Sequence, residues 1–247
     1  MRFHFALSLT IFVSTSFYAF AASDCQSQWK EIVKNPLEER YKSLIGKCDD
    51  DLKVAIRSLI SSNLNLGYDG ARKIMYNDLD NENGKLCSVY SEYCLPFKGG
   101  MPDSNKINCE HSWPQSKGAV GIAKADLHHL YTVDSPTNSM RGNDPFCETA
   151  SGPNATETMS ARGKNSLGVS CFEPKGLHKG AVARSMMYFS IRYNLPIGQD
   201  EEGFLRDWNA RVVSEKEIKR NDKIEKVQKN RNPFVDHPEF IELISDF

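Results

Sequence analysis

A charge-free apolar segment at the N-terminus constrains this chain most, because it decides the compartment in which the remainder folds. Residues 5–20 carry no charge and follow a short basic head, and Ala19-Phe20-Ala21 fits a cleavage site before Ala22. This pattern is typical of a secretory signal peptide. A membrane anchor is the alternative, but serine and threonine side chains dilute the segment below the roughly 20 apolar residues that a spanning helix needs. We therefore predict that residues 1–21 are removed and that residues 22–247 form the exported protein.

Export changes the interpretation of the cysteines. All seven lie beyond the predicted cleavage site, and an oxidising compartment favours disulfides. The odd number leaves at least one thiol unpaired, and the absence of a C-x-x-C pair argues against a zinc ribbon or a thioredoxin-type site. Spacing does not decide connectivity, but three pairs that bracket short segments are candidates: Cys25 with Cys48, Cys87 with Cys94, and Cys147 with Cys171.

The charge balance limits what the exported part can bind by bulk electrostatics. Lys and Arg number 31 and Asp and Glu number 32, for a formal net charge of -1. Any nucleic-acid binding must therefore use a local patch or a metal ion. Because no second long apolar run follows the N-terminal segment, we expect no membrane association. We expect a monomer located in the periplasm or the medium.

The apolar pattern predicts a single α+β domain with more helix than strand, without repeats or linkers. Two stretches of strand character, 107–115 and 127–133, precede a predicted helix over 134–143. Asp134 or Ser135 is the candidate N-cap of that helix. Further helices are predicted over 26–62, 178–194 (ended by Leu195-Pro196), 200–212, 214–230 and 238–244, with a short strand near Cys87–Tyr90 and turns or loops over 63–84 and 144–177.

Residues suited to hydrolytic chemistry are concentrated in three blocks around this strand and helix pattern. The first block contains Glu110 and His111, and the second reads Asp126-Leu127-His128-His129-Leu130. The third places Asn138 and Arg141 on one face of the predicted helix. A neutral imidazole can take a proton from water, carboxylate and amide oxygens suit Mg²⁺, Mn²⁺ or Ca²⁺, and an arginine can clamp a phosphate. Together they fit metal-assisted hydrolysis of a phosphodiester.

Strand geometry limits how these residues can cooperate. Neighbouring residues on a strand normally face opposite sides. Glu110 and His111 can therefore converge only if the strand bends or the site is shared across it. The same alternation applies to His128 and His129, for which we expect structural roles, and Trp113 is expected in the core.

The ordered blocks resemble the bacterial endonuclease I family, which consists of exported nucleases with a ββα-metal (His-Me finger) site. A lone Glu-His pair would carry no such information. The resemblance covers roughly residues 30–240. It rests on Glu110-His111-Ser112-Trp113-Pro114-Gln115, on the block 126–130, on Asn138-Ser139-Met140-Arg141-Gly142-Asn143, and on two C-terminal segments, 178–184 and 230–238.

The resemblance implies a role for each matching residue. His111 corresponds to the general base and Glu110 to a metal ligand. Asn138 corresponds to the second ligand, with Asn143 as a less favoured substitute, and Arg141 to a phosphate contact. The implied cofactor is one Mg²⁺, with Mn²⁺ or Ca²⁺ as alternatives. The implied activity is non-specific endonucleolytic cleavage of DNA, with RNA as an open alternative, through backbone contacts and to 5′-phosphate ends.

One departure from the family concerns the connection between the first two blocks. Some members carry a longer insert there that contains an arginine, whereas only residues 116–125 separate the blocks here. Lys117 and Lys124 are the cations of this segment, and which of them, if either, replaces that arginine is left open. The Lys-rich stretch 211–231 predicts either a helix face laced with ion pairs or a patch that follows a phosphate backbone.

Two other functions remain as alternatives to a nuclease. One is an exported, non-catalytic nucleic-acid-binding protein on a degenerate nuclease scaffold. The other is a metal-dependent phosphoesterase for small substrates. The intact set of Glu110, His111 and Asn138 favours the nuclease.

Overall fold

The computed structural model describes residues 25–247, so the predicted signal peptide at 1–21 lies outside the described residues. The described chain is an α+β fold in which helices surround three small antiparallel sheets. None of its helices is long and apolar enough to cross a membrane. The helices are α1 (25–32), α2 (Asp49–Ile60), α3 (Tyr68–Ile74), α4 (Ser135–Arg141), α5 (Gly176–Tyr193), α6 (Gln199–Asn209), α7 (Glu215–Gln228) and α8 (Pro233–Asp236), with 3₁₀ segments at Glu39–Leu44, Gln115–Lys117, Ala123–Ala125 and Pro238–Leu243. The strands are β1 (Asn81–Glu82), β2 (Lys85–Cys87), β3 (Cys94–Pro96), β4 (Ile107–His111), β5 (Leu130–Asp134), β6 (Ala161–Lys164) and β7 (Ser170–Glu173).

Helix α5 lies at the centre of the larger hydrophobic core. Its side chains are buried on nearly all sides, which is the pattern of a helix enclosed by other elements. Helices α2, α6 and α8 pack against it. Trp113, which follows β4, stacks on Phe189 of α5 with ring centroids 5.1 Å apart, and both side chains are buried. The predicted core position of Trp113 is confirmed, and this contact fixes the loop after β4 to the core.

Strands β4 and β5 and helix α4 form the unit that contains the three sequence blocks. The strands pair antiparallel, with Glu110 opposite Tyr131 and His111 opposite Leu130. Asp134 ends β5 and caps α4, because its carboxylate accepts the Thr137 amide at 3.0 Å. The structure thus selects Asp134 over Ser135 as the N-cap.

The three candidate disulfides are confirmed. Cys25 joins Cys48, Cys87 joins Cys94, and Cys147 joins Cys171. The first connects α1 to the start of α2, the second spans the β2–β3 hairpin, and the third brings β7 against the segment that follows α4. Cys109 is the remaining thiol and is half-buried.

Three secondary-structure predictions are wrong in part. The helix predicted over 26–62 is interrupted between α1 and α2 by irregular backbone and a 3₁₀ turn. The turns predicted over 63–84 contain α3 and a π-helical turn at Met75–Leu79. Gly67, with φ of 65°, is the N-cap residue of α3, and Gly70 lies inside this helix. The loops predicted over 144–177 contain the β6–β7 hairpin, whose strands have only four residues each.

Candidate active site

Glu110 is a buried carboxylate held by two partners. Its side chain is 3% exposed. The Tyr90 hydroxyl donates a hydrogen bond of 2.8 Å to Oε1, and Nε of Arg141 lies 3.2 Å from the same oxygen. Burial raises the pKa of Glu110, although Arg141 and Tyr90 both favour the charged form. The carboxylate is thus fixed in position by groups that stabilise its negative charge.

Arg141 connects α4 to β4 from the inside of the protein. Its side chain is 1% exposed, and Nη2 and Nη1 donate to the carbonyls of Ser112 and Gly142, each at 2.8 Å. Its guanidinium carbon lies 4.7 Å from the centre of the Phe146 ring. In this arrangement the guanidinium contacts Glu110 and two backbone carbonyls, and it is shielded from solvent. The predicted phosphate contact of Arg141 stays a prediction, and burial is unfavourable to it.

His111 is a buried imidazole that contacts a backbone carbonyl. Its Nε2 lies 3.2 Å from the carbonyl oxygen of Lys124. Because a carbonyl can only accept, this contact requires an N–H at Nε2, and the Cys109 carbonyl also acts on the ring as an acceptor. Burial lowers the pKa of His111 to about 4, and the nearby Lys124 and Arg141 charges act in the same direction. The imidazole is therefore neutral near pH 7.

An aromatic and cationic group surrounds the His111 ring. Tyr68, the first residue of α3, packs on it with ring centroids 5.4 Å apart, and the buried His129 ring lies 5.3 Å away. Nζ of Lys124 lies 4.4 Å from the centre of the Tyr68 ring, and the Arg72 guanidinium carbon lies 4.7 Å from it. Arg72 is paired with Asp69, whereas Lys124 forms no ion pair within residues 25–247. Of the two lysines in the short connection, Lys124 is the one that the structure places beside His111.

The Glu110 and His111 side chains occupy different surroundings, as strand alternation predicts. Glu110 contacts Tyr90 and Arg141, and His111 contacts Tyr68, His129 and the Lys124 carbonyl. Any shared action therefore requires a substrate that spans the end of β4.

Asn138 and Asn143, the two predicted candidates for a second metal ligand, lie in different surroundings. Asn138 lies one turn before Arg141 on α4, and Arg141 contacts Glu110. The Asn138 side chain is half-buried and has no hydrogen-bond partner among residues 25–247. Asn143 is exposed and lies beyond Gly142, where α4 has ended.

The donor set fits a hard divalent cation. In residues 25–247 no three His, Cys, Asp or Glu side chains are grouped as a metal site would need. One carboxylate and one unpaired amide oxygen instead suit Mg²⁺, which usually keeps several waters and binds few protein ligands.

The other histidines of the second block and the C-terminal segments are structural in their surroundings. Nε2 of His128 lies 3.2 Å from the Asn230 carbonyl, and Nε2 of His129 lies 2.8 Å from the Ala123 carbonyl. His178 and His237 are buried as well. None of the four makes contact with Glu110.

The Lys-rich stretch 211–231 is largely neutralised by its neighbours. Of its eight basic residues, six form ion pairs, namely Arg211, Lys216, Lys219, Arg220, Lys223 and Arg231. Arg220 is buried with Asp80, and Nε of Arg220 lies 3.0 Å from Oδ1. This arrangement favours a paired helix face over a cationic patch.

Two residues that contact Glu110 or His111 could not be predicted from any sequence pattern. Tyr90 lies 20 positions before Glu110, just beyond the β2 strand. Tyr68 lies in a stretch rich in glycine and asparagine. Both reach the site through tertiary packing, and local spacing does not indicate either of them.

Comparisons with known proteins agree with the three-block pattern. The chain is 33% identical over 230 residues to an extracellular ribonuclease of Bacillus subtilis, covering 83% of this chain and 77% of that protein. It is 34% identical to an extracellular ribonuclease of Bacillus amyloliquefaciens over 84% of this chain and 78% of the relative. An extracellular deoxyribonuclease of Aeromonas hydrophila is 29% identical over 54% of this chain and 56% of its own length. The Endonuclease I family pattern matches residues 49–239, which include all three blocks. The chain therefore belongs to the endonuclease I family, and it is a nuclease.

Proposed function

We propose that this protein is an exported, metal-dependent endonuclease that hydrolyses phosphodiester bonds of both RNA and DNA, with His111 as the general base. The observation that carries the proposal is the contact between His111 Nε2 and the Lys124 carbonyl, which holds a neutral imidazole at the end of β4. Export is supported by the three disulfides, which persist in oxidising compartments.

The residues around His111 would orient the reaction. The neutral His111 ring would take a proton from the water that attacks phosphorus, and a positioned base contributes about 10²–10⁴-fold in rate. Tyr68 would hold the imidazole plane by packing on it. Lys124 would bring an unpaired ammonium to the phosphate, in the role that an inserted arginine fills in some family members.

Glu110 and Asn138 would hold the divalent cation, proposed to be Mg²⁺. When bound, such an ion supplies Lewis-acid stabilisation of the leaving 3′ oxygen, which implies 5′-phosphate ends. Tyr90 and Arg141 would keep Glu110 ionised and immobile, so that the carboxylate is ready for the cation without a change of rotamer. This positioning role of Arg141 fits its burial better than a phosphate contact does.

The proposed substrate range rests on the relatives and on the cations beside His111. The two Bacillus relatives that cover most of the chain are named ribonucleases, and the Aeromonas relative that covers about half is named a deoxyribonuclease. Lys124 and Arg72, the cations beside His111, would contact phosphate and carry no sequence information. We therefore propose cleavage with little sequence specificity.

The test is cleavage of supercoiled plasmid and of single-stranded RNA by the disulfide-bonded protein, with Mg²⁺ and with EDTA. We expect EDTA to abolish cleavage and His111→Ala to reduce it about 100-fold or more. His237→Ala is the matched control, since His237 stacks on Phe240 and lies outside the β4–β5–α4 unit. Full activity of His111→Ala would place the base elsewhere. No cleavage of either nucleic acid with Mg²⁺, Mn²⁺ or Ca²⁺ would refute the enzymatic proposal.

A further inference from the structure

The β2–β3 loop, residues 88–93, is anchored at its ends and along its backbone. The Cys87–Cys94 disulfide joins the two residues that flank it. Nζ of Lys175, the residue that precedes α5, donates hydrogen bonds to the carbonyls of Ser88 and Ser91, at 2.9 and 2.7 Å. The loop is therefore fixed to the start of the central helix.

Tyr90, inside this loop, is one of the two partners of Glu110. Its buried ring packs edge-to-face on Phe172 of β7, with ring centroids 4.8 Å apart. From this position the Tyr90 hydroxyl donates the 2.8 Å hydrogen bond to Oε1 of Glu110. The loop thus contacts the proposed metal ligand directly, through a side chain whose ring is held by the core.

Two serine hydroxyls of the same loop hold Asp134, the N-cap residue of α4. Oγ of Ser88 and Oγ of Ser91 donate to Oδ1 of Asp134 at 2.7 and 2.6 Å. Oδ2 accepts the amide and the hydroxyl of Thr137, at 3.0 and 2.7 Å. A buried carboxylate whose two oxygens each accept two hydrogen bonds is tightly restrained. Asp134 therefore ties the first turn of α4 to the loop.

Arg141, the other partner of Glu110, is connected to the loop through α4. This helix has only seven residues and ends at Arg141, so a shift of its start at Asp134 would move the guanidinium as well. One loop therefore holds both partners of Glu110. Tyr90 belongs to the loop, and Arg141 is linked to it through the helix.

We propose that the β2–β3 loop is a positioning element for the divalent cation site: it orients Glu110 directly through Tyr90 and indirectly through Asp134 and α4. The inference rests on the proposed function, because it takes Glu110 as a cation ligand. Hydrogen bonds from groups outside the coordination shell orient metal-binding carboxylates, and their loss typically weakens metal binding about 10–100-fold. In this role Ser91 acts through Asp134 and does not touch the cation.

The test is the affinity of the disulfide-bonded protein for Mn²⁺, measured without nucleic acid from the electron paramagnetic resonance signal of the free ion. Tyr90→Phe keeps the packed ring and removes only the hydroxyl, and it should weaken Mn²⁺ binding about tenfold. Ser91→Ala should weaken it about threefold or more, a smaller loss because this serine acts through the helix. The urea midpoint of each variant is measured in parallel.

Tyr41→Phe and Ser185→Ala are the matched controls. Each removes a buried hydroxyl that donates a hydrogen bond, from Tyr41 to the Asp236 carboxylate and from Ser185 to the His128 carbonyl. Both residues lie outside the β2–β3 loop and the β4–β5–α4 unit. These variants should lower the urea midpoint, as the loop variants do, but leave the Mn²⁺ affinity unchanged.

The proposal is refuted if Tyr90→Phe and Ser91→Ala bind Mn²⁺ as tightly as the controls, because the loop would then affect stability alone. Glu110→Gln distinguishes this failure from a failure of the proposed function. If Glu110→Gln binds Mn²⁺ weakly while both loop variants bind it normally, only the role of the loop is wrong. If Glu110→Gln binds Mn²⁺ as tightly as the unchanged protein, the cation site itself is wrong and the inference is overturned with it.

Discussion

The buried pair of Glu110 and Arg141 allows a prediction about what holds the candidate site together. The two side chains are 3% and 1% exposed, and Nε of Arg141 lies 3.2 Å from Oε1 of Glu110. In Arg141→Met the carboxylate stays buried but loses its counter-charge, and the Ser112 carbonyl loses its donor. Removal of one partner from a buried pair typically costs about 3–5 kcal/mol. We expect Arg141→Met to lower the free energy of unfolding by about 4 kcal/mol.

The assay is urea unfolding of the disulfide-bonded protein, followed by tryptophan fluorescence, for a double-mutant cycle. Glu110→Gln removes the charge that Arg141→Met leaves uncompensated. The double variant should therefore lose less free energy of unfolding than the two single variants lose together, by about 1–3 kcal/mol. A purely steric role of Arg141 predicts additive effects instead.

Arg162→Met is the matched control for this cycle. Arg162 pairs with Asp144 at the surface, and its side chain is 53% exposed. Loss of an exposed pair costs less than about 1 kcal/mol. If Arg141→Met costs no more than Arg162→Met, or if the two variants of the cycle are additive, the account of Glu110 as a carboxylate held by Arg141 is wrong.

Three further predictions concern the phosphate contact, acid stability and a disulfide. Lys124→Met should lower plasmid cleavage at least about tenfold relative to Lys117→Met, because only Lys124 lies beside His111; equal rates would contradict this. Burial alone would raise the pKa of Asp236, but hydrogen bonds from an arginine and a tyrosine outweigh it, so the pKa is lowered. The stabilising effect of ionised Asp236 should be complete above about pH 4 and be lost as the pH falls through the lowered pKa. In Asp236→Asn the urea midpoint should therefore fall less steeply with decreasing pH than in the unchanged protein. An unchanged pH dependence would refute the stabilising role of the Asp236 carboxylate. Replacement of Cys147 and Cys171 together by alanine should cost about 3 kcal/mol in the same assay, and an unchanged midpoint would show that this disulfide does not restrain the unfolded chain.

The parts of the fold that local chemistry determines were predictable. The helix after β5 was predicted because Asp134 and Pro136 are an N-cap and a first-turn residue, and those preferences act within one turn of the chain. Helix α5 was predicted from its apolar spacing, within two residues at its start. Helix α3 was missed because glycines such as Gly67 and Gly70 favour turns. Ala71 and Met75 are buried in a smaller hydrophobic cluster beside the main core, and their packing overrides that preference.

The chemistry of the candidate site shows the same division. The residues Glu110, His111 and Asn138 were proposed from the family resemblance, because a resemblance spread over three blocks is a property of the chain itself. The protonation and the accessibility of these residues were not predicted from the sequence. The proton on Nε2 of His111 follows from a carbonyl 13 residues away, and the hydrogen bond to Glu110 comes from Tyr90, 20 residues away.

Arg141 illustrates why such features need the tertiary structure. Helical spacing places Arg141 on the same face of α4 as Asn138, and from this the sequence suggests a guanidinium directed at the substrate. The antiparallel pairing of β4 and β5, with α4 packed across it, places the Arg141 guanidinium against Glu110 and the Ser112 carbonyl. The sequence by itself determined the family, the three disulfide pairs as candidates and the residue types at the site. Only the tertiary structure decided which charges are buried and which face solvent, because burial depends on contacts between segments that are distant along the chain.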